Sequence, residues 1–600
     1  MFDVSLSQTQ GMRNDRGRKF IPNTYLFNIR NYNFDNIIGL SRILAPQIDY
    51  NNGGVAGIDG MYQFRYIDGS GVLQSENILI TNGTVLKNAI GSSSLTTTIY
   101  TGLTAGNKCT FAILNDKLFI SNGVDNVLVY NGTVVYEMGA PIATNNSEAG
   151  NLSGDYYYAI SYLVDGVELI TGCVSNTVTA TSHKIELTLP IGPTGTTARD
   201  VYRVEGGGSQ LKFLVKINNN TDTTYTDNTA DGALGADIGA INSPAPKPKF
   251  ITVKHERLVG VGNARRPNYL YTSQTEIESL FATIGVSDVS GQGNDNTGLT
   301  GMAVDYDQIV VFSERRIYLA DVSGAVVSVK QTSSNVGCLD GHTIAKVPPN
   351  LEFKGGLMFV SNEYDIRVFN GQIAVNLATS FDNLSTENFS SALNSDQLKN
   401  SMDGVPLEGE YYDYKYHLII GNTIYVYDIR IQGWTTYLIK TQTYSPSYRK
   451  MAVLGETFFI GHADTMIVEK MYISTTYRSE VFESTFETGE LLVSDIYKLY
   501  KNLQIYYGNS GDVTVSILIT PDNNSNLATN VSFSFSSDGF DSDYYESAYY
   551  ETETNEDDYV IAHINKYSRW IRFRFTSNDV FNFRGYKLTG EQISNEEVLS

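Results

Sequence analysis

KLFISNGVDNVLVYNG, from Lys117 to Gly132, returns in outline as GLMFVSNEYDIRVFNG, from Gly356 to Gly371. Each copy has an apolar run, a Ser-Asn turn, an acidic residue, a second apolar run and a closing Asn-Gly, which is a β-hairpin written by alternation around small turn residues. Looser versions are ENILITNGTVL, HERLVGVGNARRPNYLYTS, DQIVVFSERRIYLAD, YHLIIGNTIYVYDIRIQGW and ETFFIGHADTMIVEKM. The turns fall at residues 81, 121, 260, 313, 361, 421 and 461. All intervals but one lie between 40 and 60 residues, bracketing the roughly 40–50 residues of a four-stranded propeller blade. One hairpin leaves both faces of its sheet bare, and stacking blades around an axis covers them. The reading is all-β: a β-propeller of six or seven blades.

The exceptional interval, from 121 to 260, holds GDYYYAISYLVDGVELITG, HKIELTLPIG, ARDVYRVEGG and LKFLVKINN, short alternating strands of the sandwich type. They predict an inserted immunoglobulin- or fibronectin-like β-sandwich at 146–247, leaving through the Pro-rich SPAPKPKF (Ser243 to Phe250) as a stiff linker. On that reading, deletion of 148–245 leaves a folded remainder. After residue 480 the hairpin phrase stops and six alternating runs follow, from KLYKNLQIYYG to FRGYKLTGEQ. The expected organisation is therefore an N-terminal arm and first blades at 1–145, the insertion at 146–247, remaining blades at 248–480 and a C-terminal β-sandwich at 481–600. Ser385 to Met402 is the best helix candidate.

With 43 Lys+Arg against 65 Asp+Glu, the net charge is −22, which argues against a surface that grips phosphates by counterion release. A like-charged surface still suits DNA that must slide past. Three distant cysteines predict neither disulfides nor a metal site. The six histidines form no HxH or HExxH pattern. The acidic tract Asp538 to Asp558 lacks EF-hand spacing. No GxSxG or phosphate loop is present. No catalytic site, metal or cofactor is expected. The N-terminus carries no apolar export segment.

The Asn-Gly pairs Asn52-Gly53, Asn82-Gly83, Asn122-Gly123, Asn131-Gly132 and Asn370-Gly371, with Asn422 in the corresponding turn of a later hairpin, are read as type I′ turns with positive φ at both central residues. Gly132 and Gly371 should occupy equivalent turns. The basic cluster Arg13, Arg16, Arg18 and Lys19 is a candidate for contacts between subunits.

HERLVGVGNARRPNYLYTSQTEIESLF, TGLTGMAVDYDQIVVFSERRIYLADVSG and LEFKGGLMFVSNEYDIRVFNG together resemble the propeller core of tail nozzle (tail tubular protein B-like) proteins of short-tailed bacteriophages. The stretch GDYYYAISYLVDGVELITG to TTYTDNTADGALG looks like the sandwich module spliced into such proteins, and SRWIRFRFTSNDVFNFRGYKLTG is similar to their closing β-domain. The resemblance spans most of residues 20–590. It implies a virion protein, assembled in the host cytoplasm, that forms a homo-oligomeric ring, usually a hexamer, at the distal tail below an adaptor or tubular protein. Tail fibres or other distal proteins would be neighbours, and double-stranded DNA passing cargo. The ring would form the ejection channel and keep it closed until adsorption. Two alternatives remain: a glycan-binding or glycan-cleaving propeller, for which Asp125, Asp365, Asp428 and Asp464 are the recurring blade carboxylates, and a host-surface adhesin.

Overall fold

The computed structural model describes residues 2–592 except 7–9, 11, 16–17, 22–23, 35–38, 89–90, 92–95, 276, 290–296, 306, 325, 333, 351–354, 372–385, 389–392, 494–496, 508–512, 522–528, 536–558 and 579–580. Among the described residues, seven antiparallel four-stranded units stand in a ring, six of them meanders of consecutive strands. Blade 1 opens with Ile58–Ile67 and Leu73–Thr81, blade 2 with Thr110–Leu114 and Lys117–Ser121, and blade 3 with Phe250–Lys254 and Arg257–Val261. Blade 4 opens with Leu299–Asp305 and Gln308–Ser313, blade 5 with Ala345–Val347 and Gly356–Val360, and blade 6 with Leu407–Tyr412 and Lys415–Ile420. Blade 7 has Tyr448–Leu454, Thr457–His462 and Ile467–Ser474, and its fourth strand is Ala45–Asn51 from near the N-terminus. The chain is a seven-bladed β-propeller whose ring is closed by pairing the last blade with an early strand, Ile467 against Asn51 and Val468 against Tyr50.

The seven turn positions read from the sequence mark the end of the second strand, one in each blade. Residues there are small because the chain entering an inner strand crosses them. Thr81 donates to the Gly57 carbonyl at 3.0 Å and Ser121 donates to the Pro248 carbonyl. A Cβ on Gly461 would lie 2.7 Å from Ile58, and one on Gly260 would lie 2.8 Å from Pro248. The repeated phrase is thus a folding unit.

Apolar clusters fill the blade interfaces, and the one between blades 5 and 6 is continuous with the core of the C-terminal unit. Ile80, Phe64, Ile120 and Tyr130 join blades 1 and 2, Phe119, Val129, Leu258 and Tyr271 join blades 2 and 3, and Phe312, Leu319, Leu357 and Phe359 join blades 4 and 5. Ile58, Leu79, Phe459 and Val468 seal blade 7 onto blade 1. Burial of each such large side chain contributes about 1.5–3 kcal/mol, and closing the ring adds the blade 7–blade 1 interface to the others.

Between blades 2 and 3, Ile142–Tyr156, Val178–Thr188 and Thr224–Asp227 form a three-stranded sheet. It faces a four-stranded sheet of Tyr158–Val164, Val167–Val174, Thr196–Arg203 and Lys212–Ile217. The Pro-rich exit does not behave as a free linker. Ser243 is buried and its N–H donates to the Ile170 carbonyl at 3.1 Å, so the segment leaves along the sandwich before entering blade 3.

The C-terminal strands Ser484–Thr488, Lys498–Tyr507, Val513–Pro521, Thr529–Phe535, Tyr559–Ser568, Ile571–Ser577 and Asn582–Gln592 form two sheets, but not alone. Phe2–Leu6, Tyr32–Phe34 and Leu40–Arg42 complete one sheet. Leu26–Arg30 bridges the other to blade 6, giving nine continuous strands. The N-terminal arm is therefore woven into the C-terminal unit, held by Asn31, which is fully buried and bonds Leu438 and Glu483 carbonyls. Among the described residues of the helix candidate, Ser395–Met402 is helical, capped by Asn394, which accepts from Gln397 N–H at 2.9 Å, and Thr386–Asn388 is strand; 385 and 389–392 lie outside the described residues.

Candidate functional site: an acid-tipped rim and a bridged axis

Where they are described, the turns joining the first and second strands of the blades lie on one face of the ring, because the inner strands pack side by side and each meander reverses the same way. Neighbouring turns touch around this rim. Ile67 N–H donates to Asp116 at 2.9 Å, Lys254 pairs with Asp307 at 3.4 Å, Tyr412 donates to the Glu456 carbonyl at 3.1 Å, and Gly455 N–H donates to Gln63 at 3.1 Å. Each described turn carries a carboxylate: Asp68, Asp116, Glu256, Asp307, Asp413 and Glu456 in blades 1, 2, 3, 4, 6 and 7. The corresponding turn of blade 5 includes residues outside the described set. All but Asp68 are exposed, Asp307 to 96%. Asp68 instead holds its own turn, accepting from Ser70 and Val72 N–H, each at 2.9 Å, and these donors lower its proton affinity.

Several of these turns are two-residue loops with positive φ at both positions: Asn115 and Asp116 at 51° and 57°, His255 and Glu256 at 50° and 56°, Asp413 and Tyr414 at 46° and 60°. Such loops match the right-handed twist of the flanking strands. Asn-Gly pairs do not mark these loops, but a two-residue gap between alternating runs, as in TFAIL-ND-KLFIS, marks each one.

The Asn-Gly expectation needs correction in geometry. Only Asn82-Gly83 has positive φ at both residues, 49° and 70°. Gly53, Gly123, Gly132 and Gly371 have it alone among their pairs, and before Asn422 it is Gly421, at 63°, that turns the chain. Asn122 and Asn131 work through their side chains, accepting from Val124 and Asp125 N–H and from Thr133 and Val134 N–H. Gly132 and Gly371 both follow the third strand of their blades, at φ 87° and 76°. Their crowding differs: a Cβ would meet the Tyr66 ring at 2.4 Å in one and Asp305 at 3.3 Å in the other.

In the basic N-terminal cluster, Arg13 pairs with Asp15 at 2.8 Å. Arg18 pairs with Glu487 at 3.1 Å and stacks on Phe27. Lys19 lies in the short 3-10 turn Arg18–Phe20, and Arg16 lies outside the described residues, as does the acidic tract from 538 to 558. The blade carboxylates brace their own loops. Asp125 accepts from Thr104 N–H and Asn122, Asp365 from Ser361 and Arg367, and buried Asp428 from Arg430, while Asp464 is exposed.

The propeller axis is bridged. Lys108, entering blade 2, crosses to blade 6, where its ammonium donates to the Leu407 carbonyl at 2.5 Å and to Glu408 at 2.7 Å. Lys450 of blade 7 binds the other Glu408 oxygen, and Arg449 pairs with Asp59 of blade 1 at 3.0 Å. Lys108 and Glu408 are both buried. Burial lowers the proton affinity of Lys108, partly offset by Glu408. Glu410, two residues along the same strand and half-buried, is pushed up to about 7, chiefly by lost hydration. A raised carboxyl stabilises the fold fully below its ordinary value of 4.5 and loses that contribution as pH rises through about 7. Glu410→Gln should therefore leave stability unchanged at pH 4 and raise it at pH 8 by about 2 kcal/mol, reduced from the full shift for partial hydration. Urea titrations at both pH values check this; a gain equal at both would contradict it.

No protein family profile matches the chain, and no curated protein does. Among solved structures, YCF48 bound to a D1 peptide aligns at 10% identity over 75% of this chain and 99% of its own, with a TM-score of 0.26. The Neurospora crassa Pan2 WD40 domain aligns at 8% identity over 70% and 89%, with a TM-score of 0.24. An exo-β-1,3-galactanase from Phanerochaete chrysosporium, with galactose, aligns at 9% over 56% and 93%, with a TM-score of 0.20. At such scores the propeller rests on its strand pairing and not on these neighbours.

Proposed function

We propose that the chain is a structural virion protein without a catalytic site, a ring-forming nozzle at the distal end of a phage tail that conducts DNA and stays closed until adsorption. The observation that carries this reading is the acid-tipped rim, together with the resemblance of the blade sequences to tail nozzle proteins. Carboxylates at successive turns repel a polyanion that carries one charge per ~1.7 Å of duplex. Burial does not consume the acid excess: among the described residues six Lys and Arg are buried against seven Asp and Glu, so the surface carries nearly all of it. The bridged axis adds a constraint. DNA has no path through a single propeller, so the conduit would be the space enclosed by several subunits with their acidic rims or strand ends facing inward.

Electron microscopy of the purified protein and light scattering test the reading together. The expected result is rings with a central opening and a mass several times 66.3 kDa, six-fold by the resemblance, with no measurable DNA affinity at physiological salt. A monomer that binds DNA with a steep salt dependence, or that hydrolyses glycans, would overturn it.

A further inference from the structure

Copies of a chain with a net charge of −22 repel one another, so a contact between them needs a surface that brings little negative charge. Blade 1 has one along its outer flank. Residues 88–107 are twenty in a row without Asp, Glu, Lys, Arg or His, the longest such run in the chain. Its described part holds the outermost strand of the blade, Thr97–Thr101, with Thr97, Thr98 and Thr101 exposed, and beyond it Gly102 and 104–106, exposed as well. The other described outermost strands are guarded by the charges, prolines and covering strands that keep sheet edges from pairing with other chains. Ala45–Asn51 carries Pro46 and Asp49, Val135–Glu137 Glu137, Val286–Asp288 Asp288, Ser328–Gln331 Lys330 and Thr386–Asn388 Glu387, while Gly433–Tyr437 is covered by Leu26–Arg30. Thr97–Thr101 has a bulge at Ile99, between the pairs Tyr100 with Val85 and Thr98 with Leu86, so this edge offers side chains more than an extended ladder.

At its rim end the same flank is apolar. The first hairpin of blade 1 runs past the neighbouring turn of blade 7: beyond Gln63, which accepts from Gly455 N–H, the strand continues four residues to Ile67, about 13 Å. There Ile67, Val72 and Leu73 are 55%, 53% and 69% exposed. Asp68, between them, is turned into its own loop, with Gln74 as a third donor at 2.8 Å. Glu76 is paired with Lys87 at 2.9 Å. Arg65 is the exposed charge of this ribbon, and a cation is attracted to an acidic neighbour. We propose that the outer flank of blade 1 is the face by which one copy of the chain packs against the next, burying the apolar tip with the threonine edge beside it. The inference rests on the ring reading and gives the ring its contact. A tip held rigid by Asp68 loses little conformational freedom on docking, and the exposed carboxylates of the other turns stay outside the contact.

The test is sedimentation of the full chain over a range of concentrations at low and high sodium chloride. The wild type should sediment as a multimer whose association tightens as salt rises, because salt screens the repulsion between like-charged copies. Val72→Glu combined with Leu73→Glu, at exposed positions outside the core, should weaken association at least tenfold and yield a species of 66.3 kDa with an unchanged melting temperature. Val167→Glu combined with Ile241→Glu places the same added charge on the inserted sandwich, at positions 59% and 58% exposed, and should leave association intact. A wild-type multimer whose association the blade 1 variant does not weaken overturns the proposal and leaves the ring reading standing. Equal weakening by the sandwich variant would show that added charge alone separates the copies, and overturns it too. A wild type that is a single chain at every salt concentration overturns both.

Discussion

Glu408→Gln should destabilise the protein by about 3–5 kcal/mol, the usual cost of removing one partner from a buried ion pair. Glu408 is 3% exposed and is the shared counter-charge of Lys108 and Lys450, both largely out of water. The amide keeps the shape but removes the charge, and its NH₂ replaces an acceptor with a donor facing one ammonium. Two desolvated cations are left facing each other across the axis. Lys108 and Glu408 are 300 residues apart and belong to blades 2 and 6, so the loss falls on ring closure and should lower the whole propeller transition rather than melt one blade. The triple variant Lys108→Met, Lys450→Met and Glu408→Leu should recover part of the loss, since replacing a buried charge cluster by apolar groups is often neutral. A Glu408→Gln midpoint in guanidinium within error of wild type would show that water reaches the bridge and screens it.

The ring was legible in the sequence because its unit is local. A hairpin is written in ten or so consecutive residues, and a small residue recurs where the incoming chain crosses it, at Thr81, Ser121 and Gly461. What could not be read is what pairs at a distance. Ala45–Asn51 closes blade 7 by lying beside a strand more than 400 residues later, and nothing in APQIDYN names its partner. Leu26–Arg30 likewise reads as one more alternating run, yet it pairs in parallel with blade 6 and antiparallel with Ser484–Thr488. The axial bridge was invisible for the same reason, since Lys108 and Glu408 become neighbours only when seven blades close. The acidic rim was in plain view, but as scattered dipeptides such as His255-Glu256 and Asp413-Tyr414, whose shared position emerges only with the strand register.

Phe281→Ala should cost about 3–5 kcal/mol, although Phe281 lies in a connection of blade 3 and not in a strand. The residue is 4% exposed and sits in the core of the inserted sandwich, edge-on to Tyr162 with ring centroids 5.8 Å apart, with Ile277 and Ile284 packed beside it. The polar edge of the contact is also built. Thr194 N–H donates to Gln274 at 2.8 Å, Tyr162 donates to the Gly139 carbonyl at 2.9 Å, and Val174 N–H donates to Glu137 at 2.9 Å. The insertion and blade 3 therefore share one core, which changes what removing the insertion does. Deleting 148–245 strips the cover from Phe281, Ile277 and Ile284, and the remainder should aggregate instead of folding cleanly. The same deletion with Phe281→Ser, Ile277→Ser and Ile284→Thr should return soluble propeller, because the exposed apolar patch is then gone while Leu280, which packs between blades 2 and 3, is kept. Phe281→Ala in the full chain should also make sandwich and propeller melt apart, where the wild type should melt as one. A change below about 0.5 kcal/mol, the range of an ordinary surface substitution, or a simple deletion that is soluble and folded, would mean that the sandwich merely leans on the ring.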